Sequence, residues 1–250
     1  MLTAIANTDD GELDADELAR ELATPADDHF AQPSLVVIEN THNRCGGAPI
    51  KLSHMAEVSV AAHRRKIRIH LDGARIFNAA LALETTPGKI ASVADTVSFC
   101  LSKGLGCPVG SILCGSGEFI AGARRTRKML GGGMRQAGII AAAGIVALTT
   151  MVDRLAEDHQ NARALAQGFA LVAGLNVRPV KNRTNMVVFD VDGDANASRR
   201  FAVAMQQREV LISPRDATSF RAVTHHGISR ADIDRAVAAA AQAAGEVFGD

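Results

Sequence analysis

The 250-residue sequence carries 27 lysines and arginines against 27 aspartates and glutamates, and 47% of its residues are hydrophobic. This composition is typical of a globular chain with one large or two modest domains, and it excludes disordered, collagen-like and small disulfide-rich proteins. Because the net charge is zero, no overall field attracts nucleic acid or an anionic membrane, and we expect a small-molecule partner bound at a specific site.

Cysteine usage and the apolar segments bear on the cellular compartment. Four cysteines without a CxxC pair predict free buried thiols and no metal site. The acidic N-terminus lacks the basic and apolar regions of a signal peptide. The most apolar stretch, Ala137–Leu148, is shorter than the roughly 20 residues needed to span a bilayer. We therefore expect a cytoplasmic protein with no membrane partner.

In the first 150 residues, segments with helical spacing alternate with segments typical of strands. The predicted elements are a helix at 14–23, a strand at 35–39, a helix at 55–65, a strand at 66–71, a loop at 85–88, strands at 95–101 and 109–114, and a long helical region from Phe119 that Gly131–Gly133 interrupt. Such alternation indicates an α/β fold with a mainly parallel sheet. Functional groups are expected at the carboxyl ends of its strands.

Beyond Met151 the pattern changes to that of a smaller α+β domain. The predicted elements are a helix at 152–171, a strand at 186–191, a helix at 197–209, short strands at 210–213 and 221–224, and a helix at 232–247. We therefore predict a large domain over residues 1–150 and a small C-terminal domain over 151–250.

Lys103 is the first candidate for chemistry. It follows a predicted buried strand and begins the glycine-rich run Lys103–Gly106. A lysine partly shielded from water has a lowered pKa, which suits Schiff-base formation. A lysine in an ordinary surface turn is the alternative, and spacing alone favours that alternative.

Asp72 ends another predicted strand, and Arg75 follows three residues later. A carboxylate at this position could hold a proton on a heterocyclic nitrogen, and the guanidinium could bind a carboxylate with two hydrogen bonds. An aspartate that caps the following turn and pairs with Arg75 explains the same residues equally well.

Further candidates each have a structural alternative. Gly131–Gly133 with Arg135 could present backbone amides and a guanidinium to an anion, or could simply break a helix. His29 and His42 could act as bases near neutral pH or could be structural. Arg221 could bind a second carboxylate or lie on a solvated strand edge.

Four strings in the same order closely resemble the low-specificity threonine aldolases. They are Glu39–Asn43 with Gly46–Gly47, HLDGARIFNAA from His70, SFCLSKGLGCPVGS from Ser98, and RKMLGGGMRQAG from Arg127. The resemblance implies fold type I and pyridoxal 5'-phosphate (PLP) as cofactor. It also implies cleavage of L-threonine or L-allo-threonine to glycine and acetaldehyde, hence a place in threonine catabolism and glycine biosynthesis, in a homotetramer.

The resemblance assigns cofactor and substrate roles by position. Lys103 matches the lysine that forms the internal aldimine, and Asp72 matches the carboxylate that faces the pyridine nitrogen. Arg75 matches a ligand of the phenolic oxygen and of the substrate carboxylate. Arg221 matches the small-domain arginine that grips the same carboxylate.

Three more residues are carried over in the same way. His29, in the string Asp28–Phe30, matches a histidine near the substrate hydroxyl and is the candidate for removing its proton. Lys128 and Arg135 match positive residues that reach towards the site, with Arg135 near the cofactor phosphate.

The sequence also departs from the pattern of the family. Threonine aldolases begin with a segment that carries a Ser-Gly-Thr turn for the phosphate, a serine near the substrate carboxylate and a histidine stacked on the ring, and no Ser-Gly-Thr occurs in this sequence. The expectation is that Met1 falls inside the large domain. Two alternatives therefore stay open: another fold-type I reaction such as β-elimination or racemisation, and a remnant that binds PLP weakly and has little activity.

Overall fold

The structure, a computed structural model, describes residues 2–25, 27–29, 31–181 and 183–249. The chain forms two compact units, Met1–Asp153 and Arg154–Asp250. Among the described residues, no single helix is long and apolar enough to cross a membrane. The bent pair Gly138–Met151 and Leu155–Phe169 reaches that length and hydropathy only when the two helices are taken together.

A four-stranded sheet lies at the centre of the first unit. Its strands are β1 (Leu35–Glu39), β2 (Arg68–Asp72), β3 (Thr96–Cys100) and β4 (Ser111–Cys114). They lie in the order β1-β2-β3-β4, with β1, β2 and β3 parallel and β4 antiparallel to β3. The sheet is therefore mainly parallel, as predicted, and the carboxyl ends of β1, β2 and β3 meet at one edge.

Helices cover one face of this sheet. The helical segments of the unit are α1 (Ala15–Leu22), α2 (Leu52–His63), α3 (Ile76–Ala82), α4 (Pro87–Ala91), α5 (Gly117–Met129), α6 (Gly138–Val146) and a π-helical turn at Ala147–Met151. Ile38, Ile69 and Leu71 point into a core that α1, α2 and α3 complete with their own apolar side chains. Because side chains alternate across a strand, Val37, His70 and Asp72 lie on the opposite face.

The second unit is built on a three-stranded antiparallel sheet. Its strands are β5 (Leu175–Val177), β6 (Met186–Val191) and β7 (Ser219–Val223), and its helices are α7 (Leu155–Phe169), α8 (Ala195–Gln207) and α9 (Arg230–Phe248). The core of the unit is aromatic: the Phe189 ring lies 4.9 Å from that of Phe169 and 5.3 Å from that of Phe220, measured between centroids. These phenylalanines fix β6 and β7, and with them Arg221 on β7.

Several sequence predictions are corrected by the structure. Residues 210–213 were expected to form a strand, but pairing is limited to an isolated bridge between Pro214 and Phe220. The loop expected at 85–88 is shorter than predicted, because Pro87 and Gly88 already belong to α4, which the Thr86 side chain caps. The thiols are free, as expected, but only Cys107 is buried.

Candidate functional site

The carboxyl edge of the sheet brings two of the predicted site residues together. β2 ends at Asp72 and the neighbouring parallel strand β3 ends at Cys100, with Asp72 in register with Ser98. The segment that carries Lys103 begins directly after β3. Asp72 and Lys103 therefore leave the same edge of the sheet from adjacent strands, where α/β folds bind their ligands.

The Asp72 residue is half-buried, and one of its carboxylate oxygens accepts a hydrogen bond. Oδ1 accepts the backbone N–H of Ala74 at 3.0 Å, which turns the chain out of β2. Among the residues that the structure describes, Oδ2 accepts no hydrogen bond. A partly buried carboxylate oxygen without a partner suits a ligand that donates an N–H group.

Backbone hydrogen bonds tie the turn after Asp72 to β3. The N–H of Gly73 donates to the Ser98 carbonyl at 2.8 Å, and the N–H of Cys100 donates to the Ala74 carbonyl at 3.3 Å. Arg75 follows as the N-cap residue of α3 and is half-buried. The backbone that carries Asp72 and Arg75 is thus held by the strand that leads to Lys103.

Lys103 lies in a compact loop between β3 and β4. The N–H of Gly106 donates to the Lys103 carbonyl at 2.9 Å, and Gly106 adopts a φ of 78°, which favours glycine. The Lys103 side chain is exposed, so the predicted shielding from water is absent in the described chain. Its amine is accessible to an incoming carbonyl group.

Lys128 and Arg135 lie on either side of the glycine run. Lys128 is in the last turn of α5, and a Cβ atom at Gly133 would come within 2.5 Å of its Cδ. The Lys128 side chain therefore lies against the backbone of Gly133, and a larger residue at that position would displace it. Arg135 follows in the same exposed loop, which connects α5 to α6.

The two remaining candidates lie elsewhere in the chain. His29 is exposed in the connection that leads to the amino end of β1, and its backbone N–H donates to Asp27 Oδ1 at 2.8 Å. Phe30 of the same string lies outside the described residues. Arg221 lies on β7 of the second unit, opposite Val188 of β6, and is half-buried. The catalytic role of His29 and the binding role of Arg221 stay predictions.

Strand register adds residues that the sequence reasoning missed. Glu39 ends β1 and is in register with Asp72. Its Oε1 accepts the N–H of Asn43 at 3.1 Å, and its Oε2 lies 3.6 Å from His42 Nε2. His70 shares a sheet face with Asp72 and contacts hydroxyl groups of β3. A spacing of two residues from Asp72 is the sequence signal that could have identified His70.

These residues fit PLP by their chemistry. The open oxygen of Asp72 can accept a hydrogen bond from a protonated ring nitrogen, and the amine of Lys103 is the nucleophile that an aldehyde requires. Arg75, Lys128 and Arg135 carry positive charge, which suits the anionic groups of PLP and of an amino acid substrate.

Comparisons with known proteins identify the family of the chain. A family model described as beta-eliminating lyase matches residues 1–192. The chain is 42% identical over 224 residues to a low-specificity L-threonine aldolase of Escherichia coli, covering 90% of this chain. It is 36% identical over 231 residues to low-specificity L-threonine aldolase 1 of Arabidopsis thaliana, covering 92% of this chain. The chain spans 64% of the length of each relative.

A solved structure shares the fold. The crystal structure of an aromatic amino acid beta-eliminating lyase/threonine aldolase from an Exiguobacterium species superposes with a TM-score of 0.80 at 24% identity. The match covers 96% of this chain and 68% of that one.

Proposed function

Because the chain belongs to the beta-eliminating lyase family, we propose that it acts as a PLP-dependent aldolase that cleaves L-threonine and L-allo-threonine to glycine and acetaldehyde. Its fold is that of the fold-type I PLP enzymes. The observation that carries the proposal is the edge that Asp72 and Lys103 share, where Asp72 keeps an open carboxylate oxygen.

PLP, when bound, supplies an electron-accepting ring that stabilises the electron pair left when the Cα–Cβ bond breaks. Lys103 would hold the cofactor through its exposed amine. Asp72 would keep the ring nitrogen protonated, since its Oδ2 can accept that N–H while Oδ1 is held by Ala74. The fixed turn after β2 would orient this carboxylate before any ligand arrives.

Two arginines would orient the substrate. Arg75, at the start of α3, and Arg221, on β7, would bind its carboxylate with charge-assisted hydrogen bonds. Holding the carboxylate fixes the rotation about the bond between the amino nitrogen and Cα. This rotation decides which bond at Cα is aligned to break.

His29 would remove the proton of the β-hydroxyl group, so that its oxygen becomes the carbonyl oxygen of acetaldehyde as the Cα–Cβ bond breaks. Lys128 and Arg135 would bind anionic groups from the loop after α5, with Arg135 at the cofactor phosphate.

A product assay tests the proposed reaction. The purified chain with added PLP is given L-threonine, and acetaldehyde and glycine are measured together with 2-oxobutyrate. We expect acetaldehyde and glycine in equal amounts, loss of both in Lys103→Ala, and no such loss in the control Lys89→Ala. Release of 2-oxobutyrate from threonine, or of pyruvate from L-serine, without acetaldehyde would instead indicate β-elimination.

A further inference from the structure

We propose that His70 is a positioning residue that holds the Ser98 hydroxyl away from Asp72 and so keeps one carboxylate oxygen open for the ring nitrogen of the cofactor. The inference rests on the proposed function for the identity of the ligand. It concerns residues that lie beside the candidate site on the sheet face opposite the helix-covered core.

The imidazole of His70 lies within hydrogen-bond distance of two hydroxyl groups of β3. Its Nδ1 lies 2.8 Å from Thr96 Oγ1, and its Nε2 lies 3.3 Å from Ser98 Oγ. Thr96 is the register partner of His70, whereas Ser98 is the register partner of Asp72. The ring therefore reaches along β3 towards the carboxyl edge and engages the hydroxyl that stands beside Asp72.

Ser98 lies beside Asp72, so its contact with His70 affects whether it can form a hydrogen bond with the Asp72 carboxylate. Neighbouring strands lie about 4.8 Å apart, so register partners on one face can form hydrogen bonds through short side chains. Among the described residues, no hydrogen bond joins Ser98 to the Asp72 carboxylate. Because the Ser98 carbonyl accepts the Gly73 N–H at 2.8 Å, the backbone of Ser98 is held beside the turn after Asp72. We therefore expect rotation of the Ser98 side chain about χ1 to be the change that brings its hydroxyl to the Asp72 carboxylate.

Removing the imidazole should therefore release the Ser98 hydroxyl to donate to Asp72 Oδ2. The carboxylate would then be satisfied internally and would bind a ring N–H less well, because a ligand would have to displace that hydrogen bond. A merely structural role of His70 predicts no such dependence on the Ser98 hydroxyl.

A double-mutant cycle separates these two roles. PLP affinity is measured from the visible absorbance of the bound cofactor in His70→Phe, Ser98→Ala and His70→Phe/Ser98→Ala. We expect His70→Phe to weaken binding about tenfold, Ser98→Ala to change it by less than about twofold, and the double variant to return close to the wild-type value.

The matched control removes the other hydroxyl on the same strand and face. His70→Phe/Thr96→Val should stay as weak as His70→Phe, because Thr96 is not beside Asp72. If neither double variant recovers affinity, or if both recover it equally, His70 does not act through Ser98 and the proposal is wrong.

A second measurement needs no cofactor. The crystal structure of cofactor-free His70→Phe should show Ser98 Oγ turned to within about 3 Å of an Asp72 oxygen, and an unchanged Ser98 rotamer would overturn the proposal. If the wild-type chain binds no PLP, the proposed function fails, and this structure still decides the role of His70.

Discussion

His159, on α7, is a buried imidazole whose environment opposes its charged form. Burial, together with the nearby Arg163 guanidinium, lowers its pKa from 6.5 to about 4. Between these values the unfolded chain binds a proton that the folded chain does not, so stability falls as the pH drops through this range. Linkage gives a loss of about 2 kcal/mol between pH 7.5 and pH 5.

Replacement of His159 tests this origin of the pH dependence. In His159→Asn the difference in unfolding free energy between pH 7.5 and pH 5 should shrink by about 2 kcal/mol, whatever the absolute stability of the variant. Urea unfolding at both pH values measures it, and His226→Asn at an exposed position is the control. An undiminished pH dependence in His159→Asn would assign the effect to other groups.

Arg221 is predicted to act on substrate binding rather than on the chemical step. Loss of hydrogen bonds to a charged group is worth about 1.5–3 kcal/mol, so Arg221→Gln should raise the KM for L-threonine about tenfold or more. Steady-state kinetics measure this change in KM. The control is Arg230→Gln, at an exposed ion-pair residue of α9. A fall in kcat at unchanged KM would contradict a carboxylate-binding role.

The helix α9 begins with a capping box. The Ser229 side chain accepts the Asp232 N–H, and the Asp232 carboxylate accepts the Ser229 N–H at 2.8 Å. Hydrogen bonds from the hydroxyl and N–H of Ser229, with the Arg235 guanidinium beside it, lower the pKa of Asp232 to about 2.

Removal of the cap should destabilise the second unit. Ser229→Ala is expected to cost about 1 kcal/mol of unfolding free energy and to raise the pKa of Asp232. Urea unfolding and a carboxyl NMR titration measure the two effects, with Ser213→Ala, at an exposed position, as control. An unchanged Asp232 titration would mean that the capping box does not form in solution.

Local pattern predicted those strands whose residues are uniformly suited to a buried sheet. The β-branched runs of β1 and β6 gave the observed bounds, Leu35–Glu39 and Met186–Val191. Residues 210–213 share that pattern but form no strand in the described chain. The isolated bridge between Pro214 and Phe220 follows them, and Pro214 has no N–H with which to extend it into a ladder. Neither β5 nor α3 was predicted from the sequence. The strand β5 has three residues and is too short for a periodic signal. The helix α3 has no side-chain cap and is buried on most sides, so neither a cap nor an amphipathic pattern marks it.

Some residues of the candidate site were likewise predictable from local pattern, and others were not. Asp72 and Lys103 were each predicted as candidates because Asp72 ends a strand and Lys103 follows one, and parallel strands share a carboxyl edge. His70 and Ser98 were missed because their contact depends on the register between β2 and β3, which the sequence does not specify. Register is set by long-range packing, so local patterns identify which residues end a strand but not which lie opposite them.

Large apolar side chains are exposed on α5, on α6 and in the loop between them. Leu130 and Ile139 are each 82% exposed, and Met129, Met134 and Ile145 are exposed beside them in sequence. Exposed apolar surface of this kind is typical of interfaces between proteins. We predict self-association, in keeping with the homotetramer that the family resemblance implies.

Size-exclusion chromatography with light scattering tests this prediction. The wild-type chain should elute as an oligomer, and Leu130→Lys with Ile139→Lys should shift it towards the monomer because a lysine opposes burial of that surface. Leu171→Lys, on an exposed site of the second unit, is the control. A stable wild-type monomer would contradict the prediction.

We expect the loop after β3 to carry the lysine that holds the cofactor, Lys103. Incubation with PLP, reduction with borohydride and peptide mapping measure this directly. The label should lie on Lys103, should be lost in Lys103→Ala and should be retained in Lys89→Ala. A label on Lys89 or Lys128, or the same labelling in Lys103→Ala as in the wild-type chain, would contradict it.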